Sequence, residues 1–300
     1  MKSLTKLITI GLATGHLVAA QVGPVPGQIK NLVTFGDSFT DTVLVGDGGE
    51  AWPVYAASYG SFNLFPFARS GGACSIKLTP FPWPSIFESQ LPSYFAQVEN
   101  GTLSLLPNET MYTLWVGTND IGSEALLIGQ QTPGVTIVDT VSCAMAPLQH
   151  APLYSVNSYP SGYYSAPRNT TEWHLFMTEL VNSGNKIAQL LLQNLPSTLP
   201  GAHIGLFDSY ALFSDMITQP EAYFNGTAPL NVTGAVRSCV YEINQSPAEQ
   251  GVCTVATGSD KDSFLWYDEL HPSEQTNRIV AREITDAIQG KANNWTMWFS

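Results

Sequence analysis

The chain has 300 residues, a formal net charge of −12 at pH 7, and 44% hydrophobic against 12% charged residues. That balance suits a compact fold and excludes an extended disordered chain. The acidic excess repels phosphate backbones, which excludes nucleic acid as a partner.

Lys2 and Lys6 precede the apolar stretch Leu7 to Val18, and Val18-Ala19-Ala20 puts small residues where a signal peptidase reads. Residues 1–20 therefore read as a secretory leader. Residues 21–300 read as a single domain, because no linker, repeat or low-complexity segment divides them. The leader is diluted by Thr9, Gly11, Thr14, Gly15 and His16 and is too short to span a bilayer; no later stretch is apolar enough. The product is expected to be secreted, extracellular and monomeric, with no membrane partner.

Asn31 to Phe35 is a short apolar run that ends in Gly36-Asp37-Ser38. Met111 to Val116 is a second, ending in Gly117-Thr118-Asn119-Asp120, and His203 to Phe207 a third, ending at Asp208. Runs of this length bounded by turn residues predict buried strands. Between the second and third, Glu172 to Leu192 carries Trp173, Phe176, Leu180, Ile187 and Leu191 at helical spacing. After His271, Ser273 can cap a helix with Glu274 in its first turn and Ile279, Val280, Ile284, Ala287 and Ile288 as its apolar stripe. Strands alternating with helices predict an α/β layered domain with a parallel sheet. Its functional loops belong at the carboxyl ends of the strands, where Ser38 and Asn119 fall.

The stretch Trp266-Tyr267-Asp268-Glu269-Leu270-His271-Pro272-Ser273 sets a carboxylate three residues before an imidazole. One turn of chain can aim Asp268 at Nδ1 of His271 and leave Nε2 for a serine, which is the arrangement nucleophilic catalysis needs. Taken singly, Ser38 reads as a strand-to-helix cap, His271 as a helix N-terminal histidine and Asp268 as a loop carboxylate; their conjunction changes the reading. Asn119 offers a side-chain amide at a strand end, the kind of donor that stabilises an oxyanion. Gly71 or Gly72 offers a backbone N–H unshielded by a side chain.

The blocks Phe35-Gly36-Asp37-Ser38, Ser70-Gly71-Gly72, Gly117-Thr118-Asn119-Asp120 and Asp268-Glu269-Leu270-His271-Pro272 occur in the order of the GDSL, or SGNH, hydrolases, which the chain resembles. Within them, Trp266 to Arg282 resembles the fungal acetylesterases of the sixteenth carbohydrate-esterase family. The resemblance implies a three-layer α/β/α domain with a parallel, flavodoxin-like central sheet. It also implies Ser38 as nucleophile, His271 as general base and acid, and Asp268 as its orienting partner. The oxyanion hole would comprise the N–H groups of Ser38 and Gly71 and the amide of Asn119. Many relatives continue the serine block with Asp-Thr-Gly, whereas Asp41-Thr42 is followed here by Val43, which predicts an altered loop. The absence of a Gly-x-Ser-x-Gly elbow counts against an ordinary α/β-hydrolase lipase.

The implied activity is removal of acetyl groups from carbohydrate such as hemicellulose oligosaccharides, with no metal or organic cofactor. A lipid or aryl esterase is the alternative enzyme, and a catalytically inactive sugar-binding or cell-wall protein the alternative of another class. Trp52 and Trp83 are the candidates for stacking on a sugar ring.

Four cysteines, Cys74, Cys143, Cys239 and Cys253, allow three pairings in an oxidising compartment. The short loop favours Cys239 with Cys253, leaving Cys74 with Cys143. No Cys-x-x-Cys or His-x-x-x-His spacing suggests a metal. Asn-x-Ser/Thr sites at Asn100, Asn108, Asn169, Asn225, Asn231 and Asn294 are candidates for glycosylation, with a further one at Asn244 weakened by Pro247.

Overall fold

The computed structural model describes residues 23–142, 151–156, 158, 160–243, 245–246, 248–249 and 251–299. The leader and Cys143 lie outside the described residues.

Strand β1 (Asn31–Gly36) runs parallel between β2 (Asn63–Pro66) and β3 (Thr110–Trp115), with Leu32 level with Leu64 and Met111. Side chains of a strand alternate between faces, so β1 feeds two cores. Leu32 joins Trp52 and Ala56 of α1 (Trp52–Gly60) with Ile279, Val280 and Ile284 of α8 (Glu274–Ile288). Val33 and Phe35 join Phe67, Ile86, Leu103 and Val116 on the opposite face, against which Leu91 and Tyr94 of α2 (Leu91–Glu99) pack. A core on each face makes the sheet the middle of three layers, an α/β/α domain.

Helix α8 follows its sequence signals closely. Oγ of Ser273 accepts from the Thr276 N–H at 3.1 Å, and all five residues of the expected stripe are buried. Each buried side chain of this size contributes roughly 1.5–3 kcal/mol, so a charge at Ile279 would unseat the helix from α1.

Between β3 and the next strand lie the short helices α3 (Thr118–Ile121), α4 (Ile137–Val141) and α5 (Pro152–Ser155), then the long α6 (Thr170–Asn194). Asn169 caps α6 by accepting from the Thr171 and Glu172 N–H groups. Its buried line is Met177, Val181 and Gly184, not the full expected stripe: Trp173, Leu180 and Ile187 are half-buried, while Phe176 and Leu191 are exposed. Helix α6 packs on α4 and α5, with Trp173 against Tyr154 of α5 at 6.0 Å between ring centroids.

Strand β4 (Ile204–Phe207) leads into α7 (Ser209–Thr218), capped by Asp208. Next come β5 (Asn231–Ala235), β6 (Arg237–Val240), β7 (Val252–Val255) and β8 (Phe264–Trp266). Strand β5 runs parallel to β8, and β6 and β7 form an antiparallel ribbon in which Cys239 faces Cys253 and is joined to it by a disulfide. The chain ends on β9 (Thr296–Phe299), antiparallel to β4. No helix among the described residues is long and apolar enough to cross a membrane.

Candidate active site

The end of β1 is a crowded crossing. A Cβ on Gly36 would stand 2.2 Å from the Trp115 carbonyl oxygen, so only glycine lets the chain turn there. The turn is closed by Asp37, whose Oδ1 accepts from the Phe39 N–H at 3.0 Å while its carbonyl accepts from Thr40 and Asp41. Ser38 is thereby held at the carboxyl end of the strand, 8% exposed, with its N–H unpaired among the described residues.

The chain beyond β2 is laid against this turn. Arg69 N–H donates to the Gly36 carbonyl, and Ser70 N–H donates to Asp41 Oδ2 at 2.7 Å. Asp41 Oδ1 accepts from the Val43 N–H at 2.8 Å, so the departure at Val43 leaves the loop anchored through the preceding aspartate. Gly72 spends its N–H on the Arg69 carbonyl at 3.0 Å, whereas the Gly71 N–H has no partner among the described residues. Of the two adjacent glycines, Gly71 is therefore the available donor. Its φ of +75° and the Trp83 ring, 2.5 Å from where a Cβ would sit, both require glycine.

The third strand end supplies Asn119. Its Nδ2 donates to the Gly72 carbonyl at 3.0 Å, leaving a second amide hydrogen uncommitted. Buried Asp120 accepts from Cys74 N–H and, at 3.0 Å, from Thr79 Oγ1, which ties the glycine loop to α3.

The imidazole comes from the turn after β8. Asp268 Oδ1 accepts from the N–H groups of Leu270 (2.8 Å) and His271 (2.7 Å), so the carboxylate folds its own turn. That leaves Oδ2 beside the ring, 3.1 Å from His271 Nδ1, while Nε2 stands 2.8 Å from Ser38 Oγ. Asp268 and His271 are 6% and 5% exposed. An imidazole so placed can take the serine proton, and a carboxylate so placed can fix the ring's tautomer.

Burial pushes Asp268 upward, but the neighbouring His271, hydrogen bonds from its ring and backbone, and one from Tyr163 outweigh this and hold the carboxyl below its usual range. Burial likewise opposes a charged His271, yet Asp268, then Asp47 and Asp37, raise it to about 9. Asp47 lies on the loop before α1, adjoining Gly46, where a Cβ would be 3.4 Å from the His271 ring. Its Oδ2 accepts from Asn277 Nδ2 at 2.9 Å and its Oδ1 has no partner among the described residues. Burial raises Asp47 to about 7 and Asp37 to about 6.

Two residues differ from the sequence reading or were missed by it. Trp52 is 1% exposed, packed in the core with its Nε1 donating to Thr40 Oγ1 at 3.2 Å. It cannot stack on a sugar; it braces the turn that carries Ser38. Tyr163 has no motif around it, yet its hydroxyl lies 2.7 Å from Asp268 Oδ2 and 2.9 Å from His271 Nδ1. Trp83, 51% exposed over Gly71, remains accessible. A cavity of about 400 Å³ lined by Tyr163, Arg237, Tyr241, Asp268 and Glu269 adjoins the carboxylate but is not lined by Ser38.

The pairing of Cys239 with Cys253 is present. The partner proposed for buried Cys74, Cys143, lies outside the described residues, as does the sequon residue Asn244. Asn100, Asn108, Asn169, Asn225 and Asn294 are exposed, and Asn231 is half-buried.

Its family and its similarity to known acetylesterases identify the chain as a carboxylic ester hydrolase. The chain belongs to the GDSL-like Lipase/Acylhydrolase family, which matches residues 32–284. It is 26% identical to an acetylesterase of Hypocrea jecorina, over 90% of this chain and 92% of that one. It is 22% identical to an acetylesterase of Thermothelomyces thermophilus over 96% of both. It is also 22% identical to a thermolabile hemolysin of Vibrio parahaemolyticus, over 89% of this chain and 66% of that protein.

Proposed function

We propose that this chain is a secreted esterase that removes acetyl groups from carbohydrate, such as hemicellulose oligosaccharides, through a Ser38–His271–Asp268 triad. The observation that carries the reading is the 2.8 Å separation of His271 Nε2 from Ser38 Oγ beside unpaired donors at Ser38 and Gly71. Ser38 attacks the ester carbonyl while His271 takes its proton. The N–H groups of Ser38 and Gly71 and the amide of Asn119 hold the tetrahedral oxyanion. His271 returns the proton to the departing sugar alcohol, and water repeats the cycle on the acyl-enzyme. The leader 1–20, a single domain over 21–300, a monomeric state and glycans on the exposed sequons complete the proposal.

The acetyl preference is supported by the two acetylesterases, each similar over nine-tenths or more of this chain. A lipid-directed reading has one observation in its favour: Val43 and Leu44, each 66% exposed, adjoin the glycine loop through the Ser70 Oγ bond to the Leu44 carbonyl at 2.9 Å. Rates on acetate, butyrate and octanoate esters of one alcohol decide between them. The expected result is a steep fall from acetate to octanoate, with acetylated xylo- or manno-oligosaccharides better substrates than triglycerides. A long acyl groove would instead add about 0.8 kcal/mol of binding per buried CH₂, and a preference for octanoate would replace the carbohydrate reading with the lipid one.

The pH dependence follows from the carboxylates around the ring. His271 accepts the serine proton only when neutral, and its pKa is raised, so the acid limb of kcat/KM lies above the ordinary imidazole value. Asp47 is one of the groups that raise it. Asp47→Asn keeps the shape, since its amide oxygen can accept from Asn277 and its NH₂ occupies the place of the unpartnered Oδ1. The limb should move down by on the order of one unit. A limb that stays in place would remove Asp47 from the field acting on His271.

A further inference from the structure

We infer that Tyr163 is a positioning residue of the triad, its hydroxyl serving as a second acceptor that holds His271 in the Nδ1–H tautomer. The inference rests on the triad reading above and deepens it. Tyr163 lies far from both catalytic blocks in sequence, in the segment Ser161-Gly162-Tyr163-Tyr164 ahead of α6. That segment is pinned to the site from two directions. Ser161 Oγ accepts from the N–H groups of Tyr163 and Tyr164, and the Gly162 N–H donates to Glu269 Oε1 at 2.7 Å. Glu269 is the residue after Asp268, so the loop and the triad turn are fastened together beside the phenol.

The hydrogen-bond directions follow from what each group can do. Asp268 is ionised and only accepts, so the phenol must donate its single proton to Oδ2, at 2.7 Å. Burial beside that carboxylate keeps the phenol protonated far above its ordinary range. With its proton so committed, the Tyr163 oxygen faces His271 Nδ1 at 2.9 Å with lone pairs only. Nδ1 can satisfy both neighbours only by carrying the hydrogen, shared between Tyr163 at 2.9 Å and Asp268 Oδ2 at 3.1 Å. The proton-free nitrogen is then Nε2, at the serine. The two rings also meet edge to face, 5.5 Å between centroids, which limits rotation of the imidazole.

A hydroxyl in this place also tempers Asp268. The other groups acting on His271 are Asp37 and Ser38 from the turn after β1, Asp47 from the loop before α1, and Asp268 from its own turn. Among these the phenol bonds to Asp268 and draws on part of its charge.

The test is steady-state kinetics on an aryl acetate with Tyr163→Phe, Asp268→Ala and the double variant, each checked for an unchanged melting profile. Tyr163→Phe keeps the ring and its packing. We expect kcat to fall on the order of tenfold, as for one hydrogen bond involving a charged group, with KM unchanged. The acid limb of kcat/KM should shift, because the phenol both accepts from Nδ1–H and draws on the charge of Asp268. In Asp268→Ala the phenol loses the acceptor of its proton and can turn that proton on Nδ1, so it no longer holds the Nδ1–H form, and adding Tyr163→Phe should not lower the residual rate by the factor seen in the parent. An unchanged kcat and limb in Tyr163→Phe, or the same fold-loss on adding Tyr163→Phe to Asp268→Ala as to the parent, would overturn the role of Tyr163 while leaving the triad standing. Should Asp268→Ala not fold, the kcat and limb of Tyr163→Phe alone decide. Failure of the triad itself shows separately, as full activity in Ser38→Ala.

Discussion

Ser38→Ala is expected to lose ester hydrolysis by on the order of 10⁴–10⁶ in kcat, while KM for a short-chain ester changes little. The proposed nucleophile has no substitute in the site: among the described residues, Ser38 Oγ alone stands at hydrogen-bond distance from His271 Nε2. Alanine removes the oxygen and keeps the Ser38 backbone N–H, Gly71 and Asn119, so substrate still binds and its carbonyl is still polarised. What survives is the oxyanion contribution acting on attack by water. Stability should be nearly unchanged, since the turn is held by Asp37, Gly36 and Asp41 and not by the serine hydroxyl. Aryl acetate turnover with a circular dichroism melt of the same protein checks both halves. Turnover within tenfold of the parent would remove Ser38 from its role, and a collapsed melt would reassign the residue to structure. A serine-directed phosphonate offers an independent readout, because it should label the parent at Ser38 and leave the variant unlabelled.

Legibility of this site in the sequence tracked how local its geometry is. Asp268 and His271 lie within one turn that the carboxylate itself closes, so a spacing of three carries the arrangement. Ser38 and Asn119 could be placed together because both follow apolar strand runs, and parallel strands deliver their carboxyl ends to one edge. Gly71 could be separated from Gly72 only once the Gly72 N–H was seen to close a turn onto Arg69. Tyr163 was illegible, since nothing in Ser-Gly-Tyr-Tyr distinguishes a phenol that reaches Asp268 from one in a surface loop. Trp52 was misjudged for a related reason: a tryptophan beside a proline at the start of α1 can face solvent or the sheet, and the fold turns it inward. The long helix α6 was legible as a helix but not in its buried face, because its apolar residues surround more than half the cylinder and only Met177, Val181 and Gly184 end up buried.

Asp268→Asn should cost on the order of 10⁴ in kcat, with folding intact, because it reverses the tautomer of the imidazole. The direction follows from the two oxygens. Oδ1 accepts from the N–H groups of Leu270 and His271, which no NH₂ group can do, so an asparagine must keep its oxygen there. Its NH₂ is then forced into the place of Oδ2, facing Nδ1 of His271 at 3.1 Å. A donor in that position demands a proton-free Nδ1, and the ring proton moves to Nε2. Nε2 then points a hydrogen at Ser38 Oγ and cannot accept the serine proton. Tyr163 does not rescue this variant. Its oxygen can take a hydrogen from the new NH₂ and give its own to Nδ1, which reinforces the unproductive form. Glu269→Gln is the control. Glu269 Oε1 is committed to the Gly162 N–H at 2.7 Å, and the imidazole has its carboxylate contacts with Asp268, so this variant should keep kcat near the parent value. Comparable rates for Asp268→Asn and the parent, or a large loss in Glu269→Gln, would assign the orienting carboxylate to Glu269 instead.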